Sequence, residues 1–470
     1  MKVLFAASEA YPYAMSGGLA DVAGALPKAL RRRLVGCRIV MPLYREIKAE
    51  LRENMKFVTS IVVPVAWRKQ YCGIFETHLN GVIYYFIDNE YYFKRDGLYG
   101  HYDDAERFAF FSRAVLEILP HIDFKPDVIH CNDWQTAMVP IYLNAFYRDN
   151  EFYRDIKTLY TIHNIQYQGK YGYELLGDVL GVPDNMHGVL DFDGCVNLTK
   201  GALVACDKIS TVSPTYSREI MDSYFAHGLD GILRHMSYKL TGIVNGIDTD
   251  VYNPETDTLI YKSFAADDIS GKAVNKAELQ KEMGLTENAD IALVGIVSRL
   301  VGHKGLDLVQ HVFEELLQNE VQFVILGSGE WQYENFFRQM QEKYPDKVAI
   351  RTGFIPELAH KIYAGADIFL MPSKSEPCGL AQMVALRYGT VPIVRETGGL
   401  NDTIKDSGDN LGNGFTFKQY NAHDMMYAVK RALDGYKDKG GWAILRRRAM
   451  ECDNSWAKSA GEYIKLYRSL

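Results

Sequence analysis

The chain has 470 residues, 47% hydrophobic and 24% charged, with a net charge of −7 and a pI near 6.0. That length accommodates two large α/β domains, and the balance is ordinary for a globular enzyme. It leaves no basic footprint for nucleic acid or an anionic membrane. Seven scattered cysteines without a C-x-x-C pair read as reduced thiols and not as a disulfide framework or zinc site. No stretch has the character of a signal peptide or membrane span, so a cytoplasmic location is expected.

Residues 2–7 form an apolar strand, followed by a turn-rich loop ending in Ser16-Gly17-Gly18 and a helix over 19–34. A strand, glycine loop and helix in that order set backbone amides beside a diphosphate or a sugar oxygen. The loop is not a G-x-G-x-x-G fingerprint and is not followed by the acidic residue a nicotinamide cofactor needs. Residues 38–43 read as a second strand. The aromatic and charged run over 84–108 fits a packed cluster for each single tyrosine, and fits a platform for sugar rings as well. A strand near residue 128 runs into Asn132-Asp133-Trp134, where Asp133 suits a helix N-cap and Trp134 the core. His163 and Asn164 stand just beyond another β-rich strand, the position from which α/β sheets present functional groups. Ser213 and Pro214 open a helix as cap and first residue.

The Gly-, Asp-, Asn- and Pro-rich stretch over 246–257 is the expected hinge, after which strand–helix alternation starts afresh. In this second cycle Arg299 and Lys304 flank a glycine turn at a strand end, a spacing suited to clamping a diphosphate. Gly327-Ser328-Gly329-Glu330 makes another such turn but lacks the Lys-Ser/Thr of a Walker loop. Phe354 follows Gly353 at a strand end, where its ring fits stacking on a base. Next, an apolar strand ends at 373 and a loop carries Glu376, Pro377, Cys378, Gly379 and Leu380 into a helix over 381–388. A strand over 391–395 leads to Thr397-Gly398-Gly399-Leu400 and one more helix. Two adjacent strand ends feeding helix N-termini predict free amides for an anion. A carboxylate such as Glu376 does not hold phosphate; it suits a neutral, hydroxyl-rich group such as a sugar held beside one.

The EPCGL loop, the RYGT and PIVR runs, TGGL with its DT, and Ser-Gly-Gly-Leu near the start resemble bacterial glycogen synthases and plant starch synthases. The resemblance extends from Lys2 to Leu470. It implies a GT-B fold: two doubly wound Rossmann-like domains, residues 1–242 and 243–452, facing across a cleft that closes to exclude water. Residues 453–470 would return to the first domain. The implied activity is retaining transfer of glucose from ADP-glucose to the 4-hydroxyl of an α-1,4-glucan, without a metal or other cofactor. The partners are then a nucleotide-sugar and a glycogen- or starch-like acceptor.

Residue by residue, the resemblance makes Arg299, Lys304, Glu376, His163 and Asp133 catalytic. Ser16, Gly17, Gly18, Asp21, Asn164, Asn245, Phe354, Cys378, Gly379, Leu380, Thr397 and Gly398 would bind the donor. Met15 belongs to that set with a departure, because the family has a lysine there that contacts the donor or the glucan. Phe354 replaces a tyrosine and keeps the ring. Two alternatives remain open: a catalytically weak glucan-binding paralogue, to which Met15 points, and a related GT-B enzyme using UDP-glucose.

Overall fold

The computed structural model describes residues 1–470. It divides into two compact units, residues 1–246 with 456–470, and residues 247–455. The last strand of the first unit stops at Gly242, and the chain leaves that unit after Gly246. No helix is long and apolar enough to cross a membrane.

The first unit is built on nine strands: β1 (Lys2–Ala6), β2 (Gly36–Pro42), β3 (Lys56–Val65), β4 (Arg68–Leu79), β5 (Val82–Asp88), β6 (Val128–Asn132), β7 (Lys157–Ile162), then β11 (Lys208–Thr211) and β12 (Leu240–Gly242). Between β7 and β11 lie short strands β8 (Lys170–Tyr171), β9 (Asp191–Phe192) and β10 (Cys195–Asn197), which form a separate small sheet. The large sheet runs β12-β11-β7-β6-β1-β2-β5-β4-β3. All its pairs are parallel except the β3–β4–β5 meander. The central strands are buried throughout, as covering on both faces requires. Strand order reverses between β1 and β6, so the loops after these strands flank the sheet's switch point.

The aromatic run over 84–108 is mostly core. Tyr84, Tyr85, Phe86, Tyr92 and Phe93 are buried, whereas Tyr91 and Tyr102 are exposed. Ser213 caps the helix Pro214–Glu219 by accepting from the Tyr216 N–H, with Pro214 in its first turn. The helix Trp456–Arg468 packs against Gly18–Arg32 and extends Tyr467 to the buried His130 of β6, Oη to Nδ1 2.7 Å.

The second unit holds β13 (Ala292–Val297), β14 (Val321–Gly327), β15 (Val348–Thr352), β16 (Ile368–Met371), β17 (Val391–Arg395) and β18 (Phe415–Phe417). All are parallel, in the order β15-β14-β13-β16-β17-β18. Its switch point lies between β13 and β16. Helices such as Leu306–Leu316 and Ala422–Lys437 bury their apolar faces on one side of this sheet, and Leu279, Leu358 and Ile362 cover the other. Of the residues singled out from sequence, Arg299 and Lys304 follow β13, Glu376 to Leu380 follow β16, and Thr397 and Gly398 follow β17, three neighbouring strand ends.

Candidate active site

In the second unit, the loop after β13 carries Arg299 and Lys304, and the loop after β16 carries Glu376. Lys304 Nζ lies 2.6 Å from Glu376 Oε2, and the same oxygen accepts from Ser373 Oγ at 3.0 Å. Glu376 is buried, and Arg299 is exposed at the rim of the same switch point. The loops are laced together, since the Lys374 N–H donates to the His303 carbonyl. Gly305 makes this approach feasible. It sits at φ 75°, and a Cβ there would lie 2.0 Å from the Pro372 carbonyl oxygen.

The turn after β17 rests directly on the Glu376 loop. Gly398 has φ 45°, and a Cβ on it would come 1.9 Å from the Glu376 carbonyl oxygen. The Gly399 N–H donates to the carbonyls of Glu376 (3.2 Å) and Pro377 (3.1 Å). Of the amides expected to be free at that helix end, the Gly399 donor is taken by the loop's own carbonyls. The helices concerned, Ala381–Arg387 and Gly398–Thr403, are also short. Thr397 and Cys378 are buried, while Gly379 and Leu380 border solvent. Phe354 projects from the end of β15 and is 78% exposed, available for stacking.

In the first unit, β1, β6 and β7 end side by side and deliver Glu9, Asp133 and His163. Asp133 is not a helix cap. Its backbone is left-handed (φ 57°), and its side chain makes no capping bond. It turns instead to the next strand end and accepts from the His163 N–H at 2.7 Å. Burial pushes its carboxyl up to about 7, against the backbone bonds from His163 and Asn164. Trp134 is core, edge-on to Phe108.

Asn132 fixes the His163 ring. Its amide nitrogen donates to the carbonyls of Ala6 and His130, so its oxygen accepts from His163 Nε2 at 2.9 Å. Burial lowers the ring to about 3. His163 is therefore a neutral imidazole, protonated at Nε2, with Nδ1 left as an acceptor. Asn164 turns its own oxygen to the Gln166 N–H. Asn245 is buried, and its side-chain oxygen has no partner.

The Ser16-Gly17-Gly18 loop also departs from expectation. Met15 to Gly18 are exposed, but two amides next to the helix Gly18–Arg32, those of Ser16 and Ala20, are directed at a carboxylate of the chain itself. Glu9 Oε2 accepts from both Ser16 N and Ser16 Oγ at 2.7 Å, and the Ala20 amide is directed at the same carboxylate. Burial pushes Asp21, in that helix's first turn, up to about 6.

Glu9, Asn132, Ser373 and Arg395 receive no individual role from the sequence. Arg395 braces the Glu376 loop through Nε to the Ser373 carbonyl, 3.0 Å. Glu9 alone carried a signal, as the single charged residue between Lys2 and Asp21, just past the end of the first strand. No group of three or more His, Cys, Asp or Glu side chains is arranged to hold a metal ion.

Comparison with known proteins settles the family. Residues 2–235 match the starch synthase catalytic domain, and residues 277–444 match the group 1 glycosyl transferases. Over its full length the chain is 54% identical to a glycogen synthase of Geobacillus thermodenitrificans, covering 98% of that protein. The chain belongs to the glycogen synthase family. A glycogen synthase of Bacillus cereus (strain ATCC 10987 / NRS 248) is 53% identical, with each chain covered in full. Among solved structures, the catalytic domain of starch synthase IV from Arabidopsis thaliana, bound to ADP and acarbose, aligns with a TM-score of 0.92. That match is 35% identical and covers 100% of this chain and 98% of the other. As a glycogen synthase family member, the chain is a glycosyltransferase with the GT-B fold.

Proposed function

We propose that this glycosyltransferase moves glucose from ADP-glucose to the non-reducing 4-hydroxyl of an α-1,4-glucan, with retention at the anomeric carbon. The observation that carries the reading is the pairing of Lys304 with Glu376 at the switch point of the second sheet, with Arg299 on the same loop as Lys304. A diphosphate is already a good leaving group, so the demand is for cations where charge develops. Arg299 grips phosphate oxygens through its planar fork and Lys304 acts as a mobile point charge. As Lys304 turns to phosphate it releases Glu376, whose freed oxygens accept the donor's sugar hydroxyls. The bound sugar and the pairing of the cation are thereby coupled.

Neutral His163 accepts a hydrogen bond from a sugar hydroxyl at Nδ1 and orients the ring, and Asn164, Asn245 and Asp133 contribute further polar contacts. Phe354 supplies a face for the adenine. No second carboxylate takes the part of a nucleophile, so the acceptor enters on the face the diphosphate leaves, and its proton passes to the departing phosphate. The charge is met by side chains, and the reading requires no metal ion. The ADP and acarbose held by the related starch synthase IV support this donor and acceptor class. The seven cysteines, none of them in a disulfide, fit a cytoplasmic setting. The test is transfer of radiolabelled glucose to glycogen from ADP-glucose and, in parallel, from UDP-glucose. Incorporation several-fold faster from ADP-glucose is expected. Equal or faster use of UDP-glucose would overturn the donor assignment.

A further inference from the structure

Glu9 is 3% exposed, yet the loop it holds, Met15 to Gly18, is open to solvent. Both bonds from Ser16 to its Oε2 are 2.7 Å, short enough to be charge-assisted. A Cβ on Gly17 would lie 3.9 Å from Oε1, so the carboxylate lies beneath the loop backbone. No cation shares this site. The titratable groups facing Glu9 are Asp21 from the helix Gly18–Arg32, Asp133 after β6, Tyr44 after β2, and Tyr99. Two are acids and two are neutral phenols. Position 15, from which a lysine could reach across, is Met15. The anion is therefore held by amide and hydroxyl dipoles alone.

We infer that Glu9 is a positioning residue for the glucosyl-transfer reaction: its ionised carboxylate clamps Ser16 and fixes the exposed loop that Met15, Gly17 and Gly18 present to substrate. The inference rests on the activity proposed above, but its structural half stands apart from it. Protonation of Glu9 weakens both Ser16 bonds, because a neutral acceptor is roughly half as strong as a charged one. Burial, opposed by the Ser16 bonds, raises the carboxyl to about 6. The clamp is thus closed above that pH and loosens below it.

Two measurements test this on the full-length protein. The first is hydrogen exchange of the peptide spanning residues 15–20, read by mass spectrometry between pH 5 and 8 and corrected for intrinsic rates. Wild-type protection at Ser16 is expected to fall below pH 6. In Glu9→Gln, protection at pH 8 should drop about tenfold, the worth of one charge-assisted bond, and no longer respond to pH. Ser16→Ala, at an exposed position, keeps the backbone bond and should lose about threefold, half of that bond. The second is steady-state transfer at pH 8. In Glu9→Gln, kcat/KM should fall about tenfold with melting temperature kept within a few degrees. Native exchange at residues 15–20 in both variants would overturn the inference. Altered exchange with unaltered kcat/KM would also overturn it, since the clamp would then position nothing the reaction uses. Wild-type protein that shows the pH-dependent protection but transfers no glucose would instead refute the proposed activity.

Discussion

Asp133→Asn is expected to trade activity for stability, and the pH dependence gives the trade its signature. The wild-type carboxyl is raised from 3.8 to about 7 by burial. A raised acid binds its proton more tightly in the folded state, so its stabilising contribution is complete below pH 3.8. It is lost as pH climbs to about 7. Three pH units at 1.36 kcal/mol each give a ceiling on the order of 4 kcal/mol. By surface area, however, the residue is only partly buried, and solvent screening brings the figure to about 2 kcal/mol.

Asparagine keeps the oxygen that accepts from the His163 N–H and has the same shape as the aspartate it replaces, so the backbone at φ 57° is asked for nothing new. The substitution therefore removes the charge with little other disturbance. In a unit of this size about 2 kcal/mol corresponds to several degrees of melting temperature. Thermal melts of both proteins from pH 5 to 8.5 should show Asp133→Asn gaining on wild type up to pH 7 and holding a constant lead above it, while transfer falls. A difference that does not change with pH, or a variant less stable throughout, would refute burial as the cause of the raised carboxyl.

Arg299→Ala and Lys304→Ala should each lower kcat/KM by about 10²–10³, the worth of one transition-state charge stabiliser; near-native kinetics for both would sink the clamp. Glu376→Gln should retain measurable turnover, because the amide still bonds sugar hydroxyls, and mass spectrometry should find no glucosyl adduct on Glu376 of the wild type. Met15→Lys should raise kcat/KM for the donor by one to two powers of ten, about 1.5–3 kcal/mol, on a native enzyme that already transfers. Transfer that begins only with the lysine in place would identify the native chain as a glucan-binding paralogue.

Much of this could be read from the sequence, because the fold depends on patterns that are local. Runs such as ALVGIV and IFLM are apolar without alternation, which only a sheet covered on both faces explains, and each ends in a glycine-bearing loop. The candidates Lys304 and Glu376 meet because β13 and β16 are neighbours, and strand order is a tertiary fact that periodicity does not carry. The errors have one physical origin. Every amide at a loop or helix start looks open to a ligand in the sequence, but Glu9 already takes the Ser16 N–H, and the carbonyls of Glu376 and Pro377 take that of Gly399. Asp133 as an N-cap failed similarly, because its partner, the His163 N–H, lies thirty residues away. A sequence shows which groups are polar, whereas the fold decides which of them already have a partner.

The contact between Tyr467 and His130 has a consequence for biosynthesis. His130 is fully buried in the central strand β6, and Tyr467 takes one of its two ring nitrogens. Roughly 200 residues, the whole second unit, are translated between Gly246 and the helix that supplies this tyrosine. At about 5–20 residues per second the ribosome needs about 10–40 s for that interval. Throughout it, the first unit has its sheet but lacks one covering helix, with apolar surface beside His130 and Gly18–Arg32 left bare. The second unit is in sequence a single uninterrupted piece and can fold as soon as it emerges. The half of the protein made first is therefore the half completed last, and the nascent chain is most exposed to aggregation and chaperone capture while its C-terminal portion is still being made.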